Sequence, residues 1–189
     1  MKTSLGSKTL HFPTPACVVG TYDAAGKPNA MTAAWSGICC SRPPCVYVSL
    51  REATYSFRAI AARKGFTISI PSDEHVTQVD YFGIATGAVV NKFEQTGLTA
   101  VRAEYVDAPY VEQFPVAIEC RLYRIEKLGL HTMFVGEIVD IKADESVLTD
   151  GRVDIEKVHP IVYDPAQNRY YKVGDYLAKA FVAGKALIS

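Results

Sequence analysis

The chain has 189 residues, 49% of them hydrophobic and 21% charged, with 20 basic side chains balancing 20 acidic ones. That length suits one domain spanning 1–189, able to bury roughly two-thirds of its unfolded surface without disulfide or metal staples. Zero net charge excludes a diffuse polyanion partner such as nucleic acid; no run reaches the ~20 apolar residues that cross a bilayer, and MKTSLGSKTLHFP lacks the apolar core of a signal peptide, so a cytoplasmic protein is expected.

PACVVGTY (15–22) and NAMTAAWS (29–36) flank DAAGKP, where Gly26 can adopt positive φ and Pro28 is expected to end ladder pairing; together they predict a β-hairpin. CVYVSL (45–50) is the next strand, and TYSFRAIAARK follows as a helix with Phe57, Ile60 and Ala61 on one face. FTISIP (66–71) is a β-branched strand closed by proline, after which Ser72 is placed to cap a helix through DEHVTQVDYFGIA, with Val76, Val79, Tyr81 and Phe82 inward. TGAVVNKFEQTG, which holds Gly87 and Lys92, reads as turn-rich. From Val116 to Leu122 apolar residues fall on even numbers, then at Tyr123 and Ile125 on odd ones, predicting a bulge where the strand exchanges its faces. HTMFVGEIVDIKA (131–143) is a long strand, DPAQN (164–168) a turn before YYKV, and Gly174 onwards a final helix. Strands outnumber helices, and the helices interrupt the sheet rather than alternate with it, so the expected class is mainly β, a β-barrel with helical insertions.

Ser49, Arg51, Thr54 and Ser56 sit where a strand hands over to a helix. Hydroxyls, a forked guanidinium and unpaired helical N–H groups can converge there on a phosphate, although a plain helix cap at Ser49 or Thr54 accounts for the same spacing. Lys92, in its turn-rich segment, can swing a cation toward the same anion. His131 opens a strand and is either a ligand contact or a satisfied structural group. Met133 two residues on suggests an axial haem pair, but one strand without an attachment motif argues against haem. Trp35, Tyr55 and Phe93, with the small Ala33, Ala34, Ser36 and Gly37, can frame a planar heterocycle; core packing explains the aromatics equally well. GxxxxGK, GxGxxG and GxSxG are missing, which leaves Walker, Rossmann and α/β-hydrolase sites without support. The five cysteines are odd in number and irregularly spaced, so no secreted disulfide framework is expected, and adjacent Cys39 and Cys40 match no zinc knuckle.

NAMTAAWS, VSLREATYSF, FTISIPS, TGAVVNKFEQTGL and LHTMFVGEIV, in that order, with the ending YYKVGDYLAKAFVAGK, resemble the flavin reductase-like family over nearly the whole chain. The resemblance implies an FMN-binding split β-barrel that works as a homodimer. Carried over by motif, Asn29, Met31, Thr32, Ala33 and Trp35 would line the isoalloxazine, while Ser49, Leu50, Arg51 and Ser56 would hold the ribityl phosphate end and Lys92 would add charge to the phosphate. Gly87 occupies the family's Ser-Gly position, with Thr86 replacing the serine, and His131 matches a histidine near the cofactor. The implied function is electron transfer between a donor and an acceptor protein in a reductive, sulfur-linked pathway. The alternative is an NAD(P)H:flavin oxidoreductase that supplies reduced flavin. In either case the ring carries the electrons, and neither a protein nucleophile nor a metal is expected.

Overall fold

In the computed structural model, which describes residues 1–188, a seven-stranded sheet is built from β1 (Cys17–Tyr22), β2 (Pro28–Ala33), β3 (Ser36–Ser41), β4 (Pro44–Arg51), β5 (Gly65–Ile70), β6 (Val116–Leu128) and β7 (His131–Ala143). The strands lie in the order β2-β1-β5-β6-β7-β4-β3, and every pairing is antiparallel. The two outermost strands, β2 and β3, are consecutive in the chain, which forces the sheet to curl. Ala33 on one edge strand meets Val46, Val48 and Leu50, from the strand next to the other edge, in one core with Val19, Phe66, Ile68 and Phe134. The result is the split β-barrel expected, open at one seam. Ala34 and Trp35 span that seam, and the Ser49 N–H donates to the Trp35 carbonyl at 2.8 Å.

Pleat and burial agree. Along β4, Val46, Val48 and Leu50 are buried while Ser49 and Arg51 face the other way. In the β6–β7 ladder Val135 pairs with Arg124 and Gly136 with Leu122, so Tyr123 is the extra residue. The bulge therefore lies where the hydrophobic parity switches. A second irregularity, between Ile138 and Asp140, bends the same pair again.

Helices α1 (Tyr55–Arg63), α2 (Val76–Ile84) and α3 (Lys92–Thr96) pack on this frame. Ile60 of α1 enters the barrel core. Phe82 of α2 and Phe93 of α3 form a second core with Val18, Ala30, Val79 and Val111. A hairpin of β8 (Ile161–Asp164) and β9 (Arg169–Lys172), joined by Thr14–Pro15, closes over that second core through Ile161, Tyr163 and Tyr170. Among the described residues no helix is long and apolar enough to cross a membrane.

Local details differ from the sequence reading. Pro28 pairs with Tyr22 and opens β2, a place where an edge strand tolerates a missing N–H. The strand expected to reach Ser36 ends at Ala33, because Ala34 and Trp35 carry the chain from one edge of the sheet to the other. Ser72 makes no backbone cap: its hydroxyl lies 3.1 Å from His75 Nδ1, and the helix begins as a 3-10 turn, Asp73–His75. The turn-rich segment contains α3. Beyond Lys172 the chain stays irregular up to a 3-10 turn at Ala183–Leu187; Leu177, Phe181 and Leu187 remain exposed, so a short helix there has no packing face to hold it.

Candidate functional site

At the corner where β2 gives way to β3, a cleft of about 410 Å³ opens toward α2 and the β8–β9 hairpin. Met31, Thr32, Ala33, Ala34 and Trp35 form one wall, and Ser49, Leu50, Arg51 and Thr54 form the end. His131, the first residue of β7, stands opposite Arg51 in the ladder and reaches the same cleft. Asp80, Gly83 and Ile84 of α2, with Tyr163, Asn168 and Tyr170 of the hairpin, complete the far side. The β4 pleat explains Ser49 and Arg51, since the alternate residues fill the barrel.

The end at α1 suits an anion. Thr54 is the N-cap residue, yet its hydroxyl donates to the Arg51 carbonyl at 2.9 Å and makes no capping bond, and the first turn holds no acidic residue. The helix start at Thr54 and the exposed Arg51 therefore sit at the same end of the cleft. The other end suits a flat ring. Trp35 and His131 lie nearly parallel, 19° between planes and 6.4 Å between centroids, while Ala33, Ala34 and Gly83 leave room for a planar edge to approach the backbone. The Thr32 hydroxyl donates to the Val79 carbonyl and fixes this wall to α2. Trp35 also lines a second cleft, of about 740 Å³, with Leu10, His11, Leu128 and Met133. The indole is thus a partition between two openings.

Eight of the twelve residues carried over by motif meet in the first cleft: Met31, Thr32, Ala33, Trp35, Ser49, Leu50, Arg51 and His131. Asn29, Ser56, Gly87 and Lys92 do not line it. Asn29 and Ser56 are buried behind the wall, where Asn29 Nδ2 donates to Ser56 Oγ at 2.9 Å and the Thr21 hydroxyl donates to the same oxygen at 3.2 Å. Asn29 Oδ1 is buried without a partner, and a Cβ on Gly87 would lie 2.2 Å from it, so only glycine fits at that approach. Lys92 departs from the expected phosphate contact. It is buried, and its Nζ donates to the carbonyls of Ala30 and Phe82, each at 2.8 Å, strapping β2 to α2. Desolvation lowers its pKa to about 8.

Sequence reasoning missed the hairpin and α2 lining. Tyr170 donates to Asp80 Oδ1 at 3.1 Å; burial first, then that bond, pushes the phenol up to about 12. Tyr163 faces Tyr170 across the ladder, with ring centroids 5.7 Å apart. Tyr163 just before DPAQN and Tyr170 two residues after it were the available signal.

Small-residue wall, aromatic partition and an uncapped helix start thus meet around one cleft. The flavin reductase like domain family matches residues 9–172, and the chain belongs to that family. It is a flavin-binding redox protein built on the family's split barrel. The structure is similar to flavoredoxin of Desulfovibrio vulgaris (Miyazaki F), at 55% identity over 97% of this chain and 100% of that one, with a TM-score of 0.94. It is also similar to flavoredoxin from Methanosarcina acetivorans, at 28% identity over 100% and 98% of the two chains, TM-score 0.90. An uncharacterised protein of Archaeoglobus fulgidus is 32% identical over 129 residues, 68% of this chain and 72% of that protein.

Proposed function

We propose that the cleft binds FMN and that the chain, one domain working as a cytoplasmic homodimer, carries electrons between a donor and an acceptor protein of reductive, sulfur-linked metabolism. The observation carrying this reading is the handover from β4 to α1, where Ser49, Arg51 and Thr54 gather beside a helix start that has no side-chain cap. A phosphate is the ligand group those donors suit, and phosphate is what FMN has and riboflavin lacks. Bound FMN supplies reversible electron storage in its ring. The protein's own residues bind and orient: Arg51 and Ser49 hold the phosphate end, Trp35 covers the ring, and His131 stands beside it as a polar neighbour. Tyr163 and Tyr170 exclude water from the open side. Similarity to two proteins named flavoredoxin supports a carrier over the NAD(P)H:flavin oxidoreductase alternative.

Anaerobic stopped-flow reduction of the FMN-loaded protein tests this. Fast reduction by a reduced ferredoxin-like protein, with slow reduction by NADH and NADPH, is expected. Fast, saturable reduction by either nucleotide, with multiple turnovers to free flavin, replaces the carrier with the oxidoreductase. A colourless protein that binds no added FMN rejects both.

A further inference from the structure

Three of the five cysteines lie on the β3–β4 hairpin, next to its turn at Arg42 and Pro43. Ile38 pairs with Val46 and Cys40 with Cys45, which leaves Cys39 as the extra residue of a bulge. Two thiol-bearing residues of β3 thus oppose one of β4. Directly paired residues on antiparallel strands have Cα atoms about 4.5–5.5 Å apart, inside the window of about 4.4–6.8 Å that a disulfide spans. Exposure separates the pair: Cys39 and Cys40 are exposed, whereas Cys45 is 2% exposed. The Cys40 thiol donates to the Arg42 carbonyl at 3.3 Å, on the solvent side of the turn. Burial raises the Cys45 pKa, which keeps that thiol protonated at rest. Among the described residues no group of three or more His, Cys, Asp or Glu side chains is arranged to hold a metal ion, so the chemistry of this cluster is that of the thiols themselves.

We propose that Cys40 and Cys45 form a reversible thiol–disulfide exchange site for small organic disulfides. The Cys40 thiolate attacks one sulfur of RS–SR; the S–S bond breaks, RS⁻ leaves, and a Cys40–S–S–R bond forms. Cys45, shielded from the substrate but facing Cys40 across the ladder, loses its proton and attacks the Cys40 sulfur, expelling the second RS⁻. The protein gives up two electrons and two protons and gains one S–S bond, and the substrate becomes two thiols. Excess thiol reverses both steps. The exposed member attacks and the buried member resolves, an order dictated by access.

The test treats the full-length protein with oxidised glutathione, blocks the remaining thiols by alkylation and maps the cysteines by mass spectrometry. The parent protein is expected to lose two of its five thiols, gain an intrachain Cys40–Cys45 bridge and retain little glutathione. Cys45→Ser, which cannot resolve, should hold about tenfold more glutathione on Cys40. A Cys39–Cys40 bridge, a bridge between chains, a lasting glutathione adduct on Cys40 of the parent, or an unchanged thiol count would overturn the proposal. The map of the parent decides the matter even if Cys45→Ser fails to fold.

Discussion

Arg51 and Trp35 touch different parts of a flavin in the proposed pose, so their loss should be felt by different ligands. Arg51→Ala removes a charge-assisted bond worth about 1.5–3 kcal/mol, which weakens FMN by roughly ten- to a hundred-fold and leaves riboflavin unchanged. Trp35→Ala should weaken both ligands alike. Fluorescence titration with each flavin reads the difference, and equal losses for Arg51→Ala would remove the phosphate contact. Lys92 makes a separate prediction, through its burial. Below about pH 8 it is charged in the folded and unfolded states, and the fold bears the cost of a buried ammonium. Between about 8 and the ordinary 10.5 the folded protein releases this proton first, so this group's contribution to stability rises with pH. Lys92→Met should remove that rise from a series of urea melts; an unaltered pH profile would mean the lysine is hydrated. Motif order made the wall and the end of the cleft legible because those residues are contiguous in the chain, Met31 to Trp35 and Ser49 to Arg51. The aim of Lys92 was not, since it depends on carbonyls of Ala30 and Phe82 that only tertiary folding brings together.

Strands whose burial alternates announce themselves, and so does a break in the alternation: the parity switch at Tyr123 marks the bulge in the sequence itself. The turn of the β8–β9 hairpin, DPAQN before YYKV, was readable. Its destination was not, because the contact that docks it, Tyr170 to Asp80, joins residues 90 apart in the chain. That contact makes the hairpin a cover for the cleft. Tyr170→Phe should cost about 0.5–1.5 kcal/mol of stability and speed flavin release, whereas a variant with the parent's melting point and release rate would mean the cover is held by packing alone. The phenol keeps its proton in the folded state up to about pH 12, against an ordinary value of 10. The stability it contributes is therefore present below pH 10 and lost as pH rises through 10 to 12, opposite in sign to Lys92.

At the scale of the molecule, the closure of the barrel follows from a fact no local pattern contains: the first and last strands of the sheet are neighbours in sequence. The proposed homodimer belongs here too. Leu5, Leu10 and Phe12 at one terminus, and Leu177, Phe181 and Leu187 at the other, are exposed, apolar surface that a second copy could cover. Light scattering of the FMN-loaded protein should give twice the chain mass, and a stable loaded monomer would reject the assembly. The partition formed by Trp35 gives the experimenter a built-in lamp. It is the chain's only tryptophan, and it looks into both clefts. Flavin entering on one side should darken its emission by energy transfer, while a body settling on the Leu10 and His11 side should shift its colour without darkening it. One wavelength scan would then tell cofactor loading from docking, with no label added.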